Sequence, residues 1–200
     1  MDVSEEHRLH QAIQRHIKKI GIPDIVIANA GVSTGTLSGE REDLVTFKRM
    51  MDINLYGVMH TFLPFIHAFK KRKSGQLVGI ASVAGIRGLP GSGAYSASKA
   101  ALINYLESLR IEMLPFNIQV TTIAPGYIKT PMTHSNPYAM PFILEVDKAV
   151  TLFIKAIDQK KKFIIIPWQM NIVGKLMRLL PASIWDFLAK RGPKKLRAMI

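Results

Sequence analysis

Tyr95 and Lys99 lie four residues apart, near the start of a segment whose side chains can handle protons. At helical spacing, positions i and i+4 share one face, so phenol and ammonium come within reach of each other. A phenol of pKa about 10 is a poor acid or base at neutral pH, but a neighbouring cation favours the phenolate and draws that value toward the working range. Ser82 stands thirteen residues before the tyrosine, directly after an apolar run. Its hydroxyl can hold a carbonyl or alcohol oxygen while Tyr95 gives or takes the proton. Such a Tyr/Lys pair alone is more often a solvated contact on a helix, so its meaning depends on the surrounding chain.

The surrounding elements suit the chemistry. Residues 4–19 place Leu9, Ala12, Ile13, His16 and Ile17 at spacings of three and four, which predicts a helix with Ser4 as N-cap and Gly21 with Pro23 as its stop. Short unbroken apolar runs at 24–28, 75–81, 118–124 and 163–166 suit strands buried on both faces of a parallel sheet. Helices are expected at 42–71, 95–114 and 145–159, with a Pro/Thr/Ser-rich loop over 130–141. Strands alternating with helices of this length read as βαβ units, and right-handed crossovers then require an open parallel sheet covered by helices. The class is α/β, and Ser82 falls at the C-terminal end of a strand, where ligands gather in such sheets.

The stretch from Gly88 to Leu102, with Tyr95-Ser96-Ala97-Ser98-Lys99 at its centre, strongly resembles the active-site segment of the short-chain dehydrogenase/reductase family. Three further motifs stand in the family's order. Asn29-Ala30-Gly31 is similar to its NAG turn, Asn54 in Ile53-Asn54-Leu55 matches its catalytic asparagine, and Pro125-Gly126-Tyr127-Ile128-Lys129-Thr130 is similar to its P-G-x-I-x-T segment beside the nicotinamide. The likeness covers residues 24–132 well and the flanks loosely.

It implies a Rossmann-like doubly wound sheet and reversible hydride transfer between NAD or NADP and an alcohol or carbonyl, in which the protein supplies position and proton. Tyr95 would be the general acid/base, Lys99 its electrostatic tuner and a ligand of the nicotinamide ribose, Ser82 the substrate anchor, and Asn54 the holder of a water that connects Lys99 to solvent. The resemblance implies that Asn29, Ala30, Gly31, Pro125, Gly126, Ile128 and Thr130 line the cofactor. Each residue also has a structural reading: Ser82 as a turn former, Asn54 as a polar plug at a helix kink, Gly31 as the residue a tight turn permits.

Family members ordinarily begin with a strand, a T-G-x-x-x-G-x-G turn and a helix whose N-terminus holds the pyrophosphate. Here 28 residues precede Asn29 and contain no such turn. The expectation is therefore an N-terminally truncated domain over residues 1–168. Either Met1 is an internal start, or the chain is a fragment or a truncated protein kept as an interaction module. Residues 24–28 would then form an apolar edge strand, an aggregation hazard. The choice between NAD and NADP is unreadable.

Composition bounds the rest. The 200 residues are 48% apolar and 20% charged, which suits one folded domain and excludes compositional disorder. Apolar stretches are shorter than the roughly 18 to 20 residues of a membrane span, and the N-terminus is acidic and polar, which points to a cytoplasmic protein. With no cysteine there is no disulfide framework and no thiolate nucleophile.

The net charge is +13, and residues 160–200 hold ten Lys and Arg against one acid, Asp186. Residues 169–200 read as a basic amphipathic extension. Met170, Ile172, Val173, Leu176 and Met177 alternate with Lys175 and Arg178, and an aromatic cluster around Trp185 precedes Lys190-Arg191 and Lys194-Lys195. Such a segment fits peripheral contact with an anionic membrane; the commoner use of a terminal apolar stripe is a helix that closes the pocket or packs on a sister subunit. A small-molecule alcohol or carbonyl substrate, hydrophobic in character, and a homo-oligomer are the expected partners. Nucleic acid is not expected, since no module for it is present. The six histidines form no metal-ligand pair.

Overall fold

Four apolar runs become the strands of one parallel sheet, in the order β1 (Ile25–Ala28), β2 (Gln76–Ile80), β3 (Gln119–Pro125), β4 (Phe163–Ile166). The computed structural model describes residues 1–134, 136–190, 192 and 195–197. The connections carry α1 (Glu6–Ile20), α2 (Asp43–Met51), α3 (Gly57–Arg72), α4 (Gly93–Met113), the short α5 (Pro131–His134), α6 (Val146–Asp158), α7 (Trp168–Leu179) and α8 (Ala182–Ala189). The register pairs Ala28 with Gly79, Ile80 with Ile123 and Pro125 with Ile166, so the strands' C-terminal ends lie side by side.

Because side chains alternate across a strand, the sheet has two apolar faces. On one, Val26, Leu77, Val120 and Ile165 pack with Phe62, Phe65 and Phe69 of α3 and with Leu102 and Leu106 of α4. On the other, Val78, Ile123 and Ile166 pack with Ala149, Ala156 and Ile157 of α6. This is the Rossmann-like α/β arrangement, covered on both faces at β2 to β4. β1 is covered on one face only: Val26 and Ala28 are buried, while Ile25 and Ile27, on the α6 face, are 43% and 51% exposed. The apolar edge strand expected from the sequence is thus present. A β-carbon on Gly79 would come within 2.4 Å of Leu106, so the glycine lets α4 lie directly on β2.

Three local expectations are corrected. Ser4 does not cap α1; its hydroxyl donates to Asp2 Oδ1 at 2.7 Å and accepts from Arg49 Nη1 at 2.7 Å, tying the N-terminus to α2. The single helix expected over 42–71 is divided by a π-helical turn, Asp52–Tyr56, which carries Asn54. The loop over 130–141 begins with α5. In the C-terminal extension, α7 joins the main core through Met170 and Val173, and Arg87 donates to the carbonyls of Met177 and Leu180 at its C-terminal end. Arg191 and Lys194 lie outside the described residues.

Candidate active site

Polar residues at the strand ends have to be held from beneath. Ser82 follows β2 with extended backbone, and its Oγ accepts from Ala84 N–H at 3.2 Å, which starts the tight turn Val83–Gly85. That turn touches the first turns of α4 closely: a β-carbon on Gly85 would lie 2.6 Å from the Lys99 carbonyl carbon and 2.8 Å from Ala100 N. The expected turn-forming reading of Ser82 is thus met, and the residue also lines the cavity at the strand ends. Its hydroxyl shapes the turn and lies on the cavity that Tyr95 also lines, where it works to lower the phenol's pKa. Thr36, beyond β1, steadies the start of α4 by accepting from Ala94 N–H at 3.2 Å.

Asn54, fully buried in the π-helical turn, is a backbone clamp. Its Oδ1 accepts from Val32 N–H at 2.8 Å, and its Nδ2 donates to the Val32 carbonyl at 2.9 Å and to Ser98 Oγ at 3.0 Å. A side-chain amide has two N–H donors, and both are used here. Asn54 thus joins the loop after β1 to α4. A π turn is a recurrent way of turning one side chain into a site at the cost of helix regularity. Above it lies Gly31, where a β-carbon would stand 3.2 Å from Asn54 Oδ1 and 3.4 Å from Lys99 Nζ. Glycine here leaves the lysine ammonium open from above.

Lys99 is buried, and its Nζ donates to the Ile80 carbonyl at 2.8 Å. The same Nζ is 6.0 Å from the Tyr95 ring centroid. Here one electrostatic expectation fails. Lys99 was expected to draw the phenol down; instead burial pushes Tyr95 above its ordinary value, with the Ser82 hydroxyl acting the other way. Burial also lowers Lys99 from 10.5 to about 8. Desolvation penalises the charged form of each group, so it raises an acid and lowers a base.

Tyr95, Lys99 and Ser82 share one cavity of about 490 Å³ with Asn29, Ala30, Gly31, Pro125, Gly126, Ile128 and Thr130. All the residues singled out in the sequence line it except Asn54, which stands behind Gly31. The sequence reading missed Ser33, Tyr127, Tyr138 and Lys195. The two tyrosine rings meet edge-on at 6.4 Å. Tyr127 sat inside a motif already singled out, while Lys195, more than 160 residues from Ser33, carried no local signal. Among the described residues the cavity has two lysines in its wall and no carboxylate.

The family model described as short chain dehydrogenase matches residues 1–140. An uncharacterized oxidoreductase of Myxococcus xanthus strain DK1622 is 36% identical over 191 residues, covering 96% of this chain and 75% of that protein. Among solved structures, a short chain dehydrogenase from Burkholderia cenocepacia J2315 in complex with NADP superimposes with TM-score 0.81 at 22% identity, covering 94% of this chain and 76% of that one. A 4-hydroxyisoleucine dehydrogenase complexed with NADH gives TM-score 0.71 at 27% identity, covering 83% and 77%.

Proposed function

Because this chain belongs to the short-chain dehydrogenase family of oxidoreductases, we propose that its cavity interconverts an alcohol and a carbonyl compound with a nicotinamide dinucleotide as partner. The observation that carries this reading is the convergence of Tyr95, Ser82 and Lys99 on one cavity at the strands' C-terminal ends.

The residues present fit the nicotinamide and its ribose. Gly31 leaves open the space above Lys99 Nζ that any β-carbon would fill, and the Pro125–Gly126 turn and Ile128 form an apolar wall nearby. Lys99 and Asn29 would hold the ribose, and Ile128 and Thr130 would flank the nicotinamide. NADP and NADH in the two solved relatives support either dinucleotide. When bound, the nicotinamide supplies or accepts the hydride.

The chain's own part is proton handling and orientation. Tyr95, raised by burial, is a neutral phenol at pH 7 and so stands ready to donate a proton to a carbonyl oxygen. Ser82 Oγ, held at the turn and sharing the cavity with the phenol, positions that oxygen. Lys99 stabilises the phenolate left behind once a ligand closes the cavity to water. Asn54 acts through others: with both amide donors committed, it holds Val32 and Ser98, and a relay water would bind at an oxygen of this residue. In Tyr95→Phe, NAD(P)H-linked carbonyl reduction is expected to fall by roughly 10² to 10⁴-fold while the circular dichroism spectrum stays unchanged. Full activity in that variant would remove Tyr95 from the mechanism.

A second reading concerns the tail. Trp168, Ile172, Leu176 and Leu179 form an exposed apolar stripe along α7, and Lys175 and Arg178 are exposed beside it. This supports peripheral docking on an anionic lipid surface, which would suit a hydrophobic substrate. Among the described residues no helix is long and apolar enough to cross a membrane. Co-sedimentation with phosphatidylserine vesicles, weakened by salt and by Trp168→Glu, is the expected result; no sedimentation at low salt would end this reading.

A further inference from the structure

The Tyr95 cavity receives a second cation from the far end of the chain. Lys195 lines it and donates from Nζ to Ser33 Oγ at 2.9 Å. Two anchors keep the lysine there. Gly35 N–H donates to the Leu196 carbonyl at 2.9 Å, and Arg197 holds Asp43 in a fork, Nε to Oδ2 at 3.1 Å and Nη2 to Oδ1 at 3.0 Å. Asp43 Oδ2 also accepts from Leu37 N–H at 2.6 Å. The Arg197 and Leu37 hydrogen bonds hold the Asp43 carboxyl below its usual range, so this anchor is charged at any ordinary pH. A β-carbon on Gly35 would meet the Lys195 carbonyl oxygen at 2.3 Å, so the strap needs glycine at this position to lie so close.

An ammonium half withdrawn from water is poorly served by one neutral hydroxyl. Burial already pushes Lys195 below its ordinary value. Among the described residues it pairs with no carboxylate, and no carboxylate lines the cavity. Lys99, the other cation, sits beneath Gly31 with its ammonium on the Ile80 carbonyl. The strap therefore holds a charge at the cavity wall with no carboxylate opposite it among the described residues.

We infer that Lys195 and Ser33 form a receptor for an anionic group, a carboxylate or phosphate, on the molecule that enters the Tyr95 cavity. The inference rests on the oxidoreductase reading and adds to it a substrate class: alcohols or carbonyl compounds that carry a negative charge away from the reacting carbon. The pyrophosphate of a dinucleotide offers the same chemistry, and the experiment separates the two sources.

The whole chain is titrated calorimetrically with acetoacetate, with methyl acetoacetate and with NADPH, as wild type and as Lys195→Met. Wild type is expected to bind the acid about tenfold more tightly than the ester, the scale of one charge-assisted hydrogen bond. Lys195→Met is expected to erase that preference, Lys195→Arg to keep most of it, and added salt to shrink it. NADPH affinity is expected to stay within about twofold in Lys195→Met. A tenfold loss of NADPH affinity in Lys195→Met, with no acid preference in wild type, moves the receptor to the pyrophosphate and overturns the substrate class. An acid that binds no better than its ester, with NADPH affinity unmoved, overturns the receptor altogether. The same titrations on Tyr95→Phe keep the two claims apart, since the acid preference should survive there whatever happens to turnover.

Discussion

At Lys99, geometry and electrostatics pull in different directions. The ammonium is placed where a cation is useful, beneath Gly31 and on the tyrosine's helix, yet its burial lowers it to about 8. Its charge is therefore present below that value and lost above it. Plotted against pH, kcat/KM for the dinucleotide is expected to be level at neutral pH and to fall through about pH 8. This quantity reports the free enzyme, and the falling limb should be displaced upward in Lys99→Arg. A profile with no bend between pH 7 and 9 would count against a role for the charge. The shift also bears on folding. Between about 8 and 10.5 the unfolded chain still holds the proton that the folded chain has released, so Lys99 makes stability rise with pH across that window. The residue types of this site were legible in the sequence, and so was the Tyr95/Lys99 spacing. The direction in which the environment moves the two pKa values was not, because desolvation depends on what covers each group.

Elements enter the argument through the contacts that set α4 against the strand ends. The Ser82 turn and the Lys99–Ala100 peptide approach so closely at Gly85 that no side chain fits between them. Gly85→Ala is expected to push α4 away from the turn, costing about 1 to 3 kcal/mol of stability, as overpacking does. It should also lower kcat by roughly tenfold or more with a smaller change in KM, because Ser82 and Tyr95 lose their shared alignment. Thermal melts and steady-state kinetics on the same preparation would check both, and wild-type values would mean the contact is slack. Four strands and the helices α1, α4 and α6 were readable as elements from apolar runs and from spacings of three and four. The π-helical turn around Asn54 was not. Its residues continue the helical pattern, and only the pairing of Asn54 with Val32 and Ser98 rewards the extra residue.

For the molecule as a whole, the uneven covering of the sheet matters most. β1 presents Ile25 and Ile27 on a face that α6 does not reach, next to an open backbone edge. Exposed apolar edges pair readily with other chains. The 200-residue chain is therefore expected to self-associate as its concentration rises, and Ile27→Lys to shift light-scattering mass toward the monomer; equal masses for the two would show the face to be inert. The C-terminal strap acts at the same scale, since Arg197–Asp43 and Gly35–Leu196 close the chain over its own first loop and bring Lys195 to the cavity.

Sequence alone determined the α/β class, the four strands, the family and the motif residues that line the cavity, because those properties are written in local patterns: apolar runs, turn residues and motifs a few positions long. The tertiary structure alone decided that desolvation outweighs the Tyr95/Lys99 attraction, that Asn54 is committed as a clamp, and that a lysine from the last residues joins the site. Each of these depends on groups distant in sequence sharing a small, partly dry volume, and the strength of an electrostatic interaction there is set by burial, which no spacing along the chain records.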